Sequence, residues 1–111
     1  MKVSRGQGRV FKVDNAVTLE EIHDGRDFRF DIAIGRIAGH HSTVMNTVSD
    51  RCYFVLEGEI DIHVGSQTFH AVRHDTVLIP SGTAHGLDGT GEYVVITAPP
   101  FAPENEKMVE Q

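Results

Sequence analysis

Short apolar runs with a period of two recur along this chain, and breaks rich in glycine and proline separate them. Runs spaced by about 8–12 residues predict an all-β sandwich or barrel. Residues 9–13 read as a first strand, and residues 18–22, Thr-Leu-Glu-Glu-Ile, suit a single helical turn, too short to hold without packing. Over 27–37, Phe28, Phe30, Ile32 and Ile34 fall on one face and Arg29, Asp31 and Ala33 on the other. That is the pattern of a half-buried strand.

Residues 39–43, Gly-His-His-Ser-Thr, interrupt this run, and extended character resumes over 44–48. Residues 51–56 make a strongly apolar strand, closed by the turn Glu57-Gly58-Glu59. Beyond it Ile60, Ile62 and Val64 alternate with Asp61 and His63, so His63 faces solvent. Gly65-Ser66 forms a tight hairpin into 67–72, and residues 73–75 turn into the next strand. There Val77, Leu78 and Ile79 run into Pro80 and Gly82, which deliver His85. Pro80 has no N–H and ends the ladder, and Gly82 supplies a positive φ for the reversal. Residues 86–91 read as a glycine-rich turn and 92–97 as the last clear strand, followed by a stiff proline-bearing exit at 99–103 and a charged tail.

The 111 residues suffice for one domain. The 23% of charged and 40% of hydrophobic residues are ordinary for a soluble globular chain. A formal net charge of -6 argues against nucleic acid or an anionic membrane as partner, since each needs a basic stripe. The single cysteine, Cys52, allows no internal disulfide and reads as a small apolar strand residue. The N-terminal residues have charge but no following apolar run, so they do not form a secretory signal. No apolar stretch approaches a membrane span. A cytoplasmic location is expected.

Two motifs resemble those of the cupins, small double-stranded β-helix or jelly-roll barrels. The second cupin motif, G-x5-P-x-G-x2-H-x3-N, is matched by Pro80, Gly82 and His85, with His74 at its first glycine, Asp75 after it, and Gly89 at its asparagine. The first motif, G-x5-H-x-H-x3,4-E-x6-G, is matched at its end, where Gly58 fixes the register. Counting back, the glutamate slot falls on Arg51. The histidine slots fall on Val44 and Asn46, or on Met45 and Thr47 with the shorter spacing. The resemblance implies one barrel domain over 1–111, with a core at 28–98, an N-terminal arm at 1–27 and an extended tail at 99–111.

The family's metal site resembles a set of three imidazoles and one carboxylate around a divalent ion. Here only His85 survives, and Arg51 brings a permanent positive charge to the place of the cation. No cofactor is therefore expected. The alternative is a divalent metal (Fe, Mn, Zn or Ni) held by an atypical set of His40, Asn46 and His85. Of the adjacent His40 and His41 at most one enters an extended barrel wall, and parity with Asn46 favours His40 when no bulge intervenes. Asp50 supplies an oxygen only if the register slips by one.

With that register, Asn46, Arg51, Tyr53 and His85 face the barrel mouth as a ligand-binding set. Arginine offers a planar fork for carboxylate or phosphate, and histidine donates or accepts near neutral pH. The expected ligand is a sugar-like, carboxylated or phosphorylated small molecule. The competing reading pairs Arg51 with Asp50, Asp75 or Glu59 at the rim. An enzymatic alternative makes His85 the catalytic acid/base of an isomerase- or epimerase-type reaction, with Arg51 stabilising the anion that forms. The resemblance further implies bacterial origin and a homodimer in which residues 9–13 add to the partner's sheet.

Overall fold

Three strands carry the fold: β3 (Asp31–Asn46), β4 (Asp50–Val64) and β7 (His85–Ala98). In the computed structural model, which describes residues 1–109, each is long enough to bend and serve both layers of a jelly-roll barrel. β7 lies between β3 and β4 and pairs antiparallel with both along nearly its whole length. The remaining elements extend one layer or the other. β1 (Arg9–Lys12) pairs with β2 (Val17–His23), and β2 with the first half of β3. β6 (Thr76–Ile79) pairs with the first half of β4, and β5 (Gln67–Val72) with its second half. A short 3-10 turn at Pro103–Asn105 leads into β8 (Glu106–Met108), which pairs with the end of β3. No helix among the described residues is long and apolar enough to cross a membrane.

The predicted strand at 9–13 and the hairpin at Gly65-Ser66 form as expected, and His63 lies on the face opposite Ile60 and Ile62. Five local expectations are corrected. Residues 18–22 are strand, because Val17 and Leu19 pair with Ile37 and Gly35 and turn into the core. Pairing on a sheet edge outweighs a weak helical pattern. Residues 39–43 do not break β3; the strand runs through them with a bulge between His41 and Val44. Glu57-Gly58-Glu59 likewise stays within β4, directly after a bulge between Val55 and Glu57, with Gly58 at φ 84. Residues 86–91 are strand too. Gly89 and Gly91 let the β4 backbone approach at Glu59 and Glu57, where a Cβ would collide.

The fifth correction concerns which face of β3 is inside. Ala33, Gly35 and Ile37 point into the barrel, while Phe28 and Phe30 precede the strand and are 47% and 41% exposed. Interior volume explains this. Tyr53 and Tyr93, from β4 and β7, fill the space opposite β3 with ring centroids 5.2 Å apart, so β3 contributes small side chains there.

Candidate functional site

Strand register stacks the inward side chains in layers. Asp31, Thr97, Arg51 and Ile79 form one row across β3, β7, β4 and β6, and Ala33, Val95, Tyr53 and Val77 form the next. A cavity of about 370 Å³ opens over these rows. Segments outside the central strands close its sides: Phe11 to Leu19 from the N-terminal hairpin, and Phe101, Glu106 and Met108 from the tail.

Arg51 is the centre of a buried polar network. Its Nη2 donates to Glu106 Oε1 at 2.8 Å and its Nη1 to Glu106 Oε2 at 3.0 Å, a bidentate pair. Its Nε reaches Thr97 Oγ1 at 3.4 Å, and the Phe101 ring lies 5.9 Å from the guanidinium carbon. Burial opposes the charge, yet Tyr53, Glu106 and Asp31 outweigh it and hold the guanidinium above its ordinary value. The partner is therefore Glu106 from β8, in place of Asp50, Asp75 or Glu59.

The third Arg51 contact fixes His85. Arg51 Nη1 donates to His85 Nε2 at 3.2 Å, and His85 Nδ1 donates to the Thr83 carbonyl at 3.2 Å. Both ring nitrogens are engaged, and the residue is 2% exposed and does not line the cavity. Burial pushes its pKa down to about 4, so the ring is neutral near pH 7. Asn46 is also buried and off the cavity wall. Its Oδ1 accepts from the N–H groups of Val48 and Ser49 at 2.9 and 2.6 Å, and its Nδ2 donates to Glu106 at 3.1 Å. Asn46 thus shapes the β3–β4 turn and steadies Glu106. Of the four residues expected at the mouth, Arg51 and Tyr53 line the cavity.

These side chains do not fit a divalent metal. The position of the carboxylate ligand holds a guanidinium, and that guanidinium occupies the lone pair of the single imidazole, His85 Nε2. His40 is turned away: it is exposed and bonds Asp88 at 2.7 Å on the outer surface. The bulge between His41 and Val44 reverses the parity, so His41 enters instead. Among the described residues, no group of three histidine, cysteine or carboxylate side chains is placed to hold a metal ion.

His41 lies on the cavity wall with its Nδ1 2.6 Å from Asp14 Oδ2. Asp14 sits in the turn between β1 and β2, where its Oδ1 also accepts from the N–H groups of Ala16 and Val17 at 2.9 Å. Burial works against its charge, but the bonds from His41 and those two N–H groups hold its carboxyl below the usual range. An ionised Asp14 on Nδ1 leaves Nε2 as the nitrogen His41 offers a ligand. Tyr53 and Tyr93 also line the cavity, and burial raises the pKa of both hydroxyls, so both are protonated at neutral pH.

Sequence reasoning missed His41, Asp14, Tyr93 and Glu106. Tyr93 was within reach, since it shares the inward parity of Val95 and Thr97. The other three depend on a bulge, an interstrand turn and a distant tail, none of which leaves a periodic signal.

The family model for the cupin domain matches residues 28–98. No curated protein matches the chain by sequence. Among solved structures, the nucleoside dehydratase Pac13 from Streptomyces superposes with a TM-score of 0.89 at 20% identity, covering 99% of this chain and 91% of that one. That protein has also been solved with uridine in a histidine-to-glutamine and two tyrosine-to-phenylalanine variants. The polyketide cyclase RemF from Streptomyces resistomycificus superposes with a TM-score of 0.81 at 17% identity, covering 100% and 86%.

Proposed function

Because the chain belongs to the cupin domain family, whose barrel hosts many unrelated chemistries, we propose its function from the cavity itself: metal-independent proton transfer on a small, neutral, hydroxylated molecule such as a nucleoside or sugar. The observation that carries this reading is the His41–Asp14 pair on the wall of a cavity that two protonated tyrosines also line. His41 Nε2 takes a proton from a substrate carbon adjacent to a carbonyl, whose oxygen takes up the electron pair as an enolate, and Asp14 stabilises the imidazolium that results. Tyr53 and Tyr93 donate hydrogen bonds to the oxygen on which negative charge develops. The imidazolium then returns its proton. Delivered to a hydroxyl leaving the adjacent carbon, it completes loss of water; delivered to another carbon, it completes an isomerisation.

Neutral ligands are favoured because the Arg51 fork is already saturated by Glu106, and Asp14, Asp31 and Glu106 add carboxylates to the walls. Elimination is placed ahead of isomerisation because the nucleoside dehydratase, whose variants single out one histidine and two tyrosines, shares the fold. His85 becomes a positioning residue that holds Arg51.

A panel of nucleosides and sugar derivatives, screened by thermal shift and followed by proton NMR, tests the reading. His41→Gln is expected to lower turnover about 10²- to 10⁴-fold, the ordinary contribution of a general base, while ligand still raises the melting temperature. His85→Gln, which keeps an acceptor for Arg51, is expected to change turnover only a few-fold. Turnover that survives His41→Gln, or collapses in a folded His85→Gln, would return the acid/base role to His85.

A further inference from the structure

Many polar side chains line the cavity, but the protein itself occupies most of them. Arg51 is engaged by Glu106, Thr97, His85 and Tyr53. Asp31 accepts from the Phe101 N–H at 2.7 Å and from Thr97, and Glu21 meets the Arg9 guanidinium at 3.4 Å. Asp14 takes four bonds, from His41 at 2.6 Å and from the N–H groups of Ala16, Val17 and Ser42. Among the described residues, the cavity groups still able to donate to a ligand are the hydroxyls of Tyr53, Tyr93 and Ser42 and the Lys12 ammonium. Much of the remaining wall is apolar: Phe11, Val13 and Leu19 from the N-terminal hairpin, Val44 from β3, and Phe101 and Met108 from the tail. Phe11, Leu19, Gly35 and Tyr93 fall in one row of strand partners, so the apolar hairpin adjoins the strand that carries Tyr93.

A hydroxylated ring laid against those apolar side chains would give up water and gain no partner. A flat apolar ring gains their contact. The cavity, at about 370 Å³, falls in the range that takes a drug-sized molecule, larger than a lone sugar ring. We infer that the ligand has two halves: a hydroxylated, carbonyl-bearing half at His41, Tyr53 and Tyr93, and an aromatic ring seated on Phe11, Leu19, Phe101 and Met108. Its class is a sugar joined to an aromatic ring, as in a nucleoside or an aryl glycoside, and a free sugar is excluded. This assignment rests on the proton-transfer reading of the same cavity. The ring is held by contact, with its edge unread. Reading a nucleobase edge takes paired donors and acceptors, above all from asparagine and glutamine, and among the described residues neither type lines the cavity. A guanidinium packs on each wall ring, Arg9 at 4.4 Å from the Phe11 centroid and Arg51 at 5.9 Å from that of Phe101, which steadies both rings for a third.

Calorimetric titration of the full chain with three ribosides that differ only at the anomeric carbon tests the inference: methyl β-riboside, the phenyl C-riboside and uridine. The phenyl riboside and uridine are expected to bind within about three-fold of each other, and each about ten-fold or more above the methyl riboside, the scale set by burying one ring. Phe101→Ala and Met108→Ala, at residues 47% and 73% exposed, trim the wall while leaving the buried core intact. Each is expected to weaken the phenyl riboside several-fold and to leave the methyl riboside unchanged. Equal affinity for the methyl and phenyl ribosides, a preference for uridine over the phenyl riboside beyond about ten-fold, or a Phe101→Ala loss shared equally by both ribosides overturns the inference. These results leave the proton-transfer reading standing. That reading fails by itself if the ribosides bind in the expected order while the carbonyl form of the tighter one is turned over no faster by the parent than by His41→Gln. Absence of binding by all three overturns both.

Discussion

Tyr93 reaches the cavity because Gly35 leaves it room. A Cβ built on Gly35 would fall 2.6 Å from the Tyr93 hydroxyl oxygen and closer still to the ring, so the obstacle at this position is steric. The alternation along β3 was legible in the sequence, yet it pointed to the wrong face, because residue hydrophobicity does not tell which of two apolar faces has room inside. Gly35 decided that, together with the bulk of Tyr53 and Tyr93. Gly35→Ala is expected to cost about 1–3 kcal/mol, the usual penalty for overpacking a filled interior, measured by urea denaturation. Adding Tyr93→Leu should recover part of that loss. Strictly additive costs would show that the ring is not what the methyl group meets.

At the scale of elements, the tail does more than extend from the barrel. β8 contributes three residues to the edge of β3, and Glu106 within it makes the bidentate pair with Arg51 on β4. The inward face shared by Arg51 and Tyr53 was readable from Gly58 and period two alone. Glu106 was not, because its approach depends on contacts 55 residues apart in sequence. The bulge after His41 is invisible for a related reason: one added residue reverses inside and outside without changing composition. Arg51 is 8% exposed and the Glu106 side chain 20%, so removing one partner leaves the other charge poorly solvated. Arg51→Met and Glu106→Gln are each expected to cost about 2 kcal/mol, discounted for the exposed part of Glu106. The double variant should cost less than the two together by about 1–2 kcal/mol, and additive losses in urea denaturation would mean that the pair does not couple β8 to β4.

For the molecule as a whole, His85 sets a specific response to acid. Its pKa falls from 6.5 to about 4 on folding because burial disfavours the imidazolium, and Arg51 adds repulsion. Between these values the unfolded chain holds a proton that the folded chain refuses, so stability rises with pH across this window. It is fully retained above about pH 6.5, and its loss is complete once pH has dropped through 4. The full difference is on the order of 3 kcal/mol, which for a domain of this size lowers the melting temperature by about 10 °C. Burial works against Asp14, Asp88 and Glu92, but bonds from histidine and arginine hold these carboxyls below their ordinary 3.8 to 4.5, so their contribution is lost at more acid pH. His70, fully exposed and raised by Asp61 and Glu59, acts in the opposite sense and is weakened by solvent screening. Calorimetry from pH 7 to 4.5 should therefore show a steep fall in melting temperature for the parent and a much flatter profile for His85→Gln, which cannot take up the proton. A parent profile that is already flat, or a variant that falls as steeply, would place the acid sensitivity outside the Arg51–His85 contact.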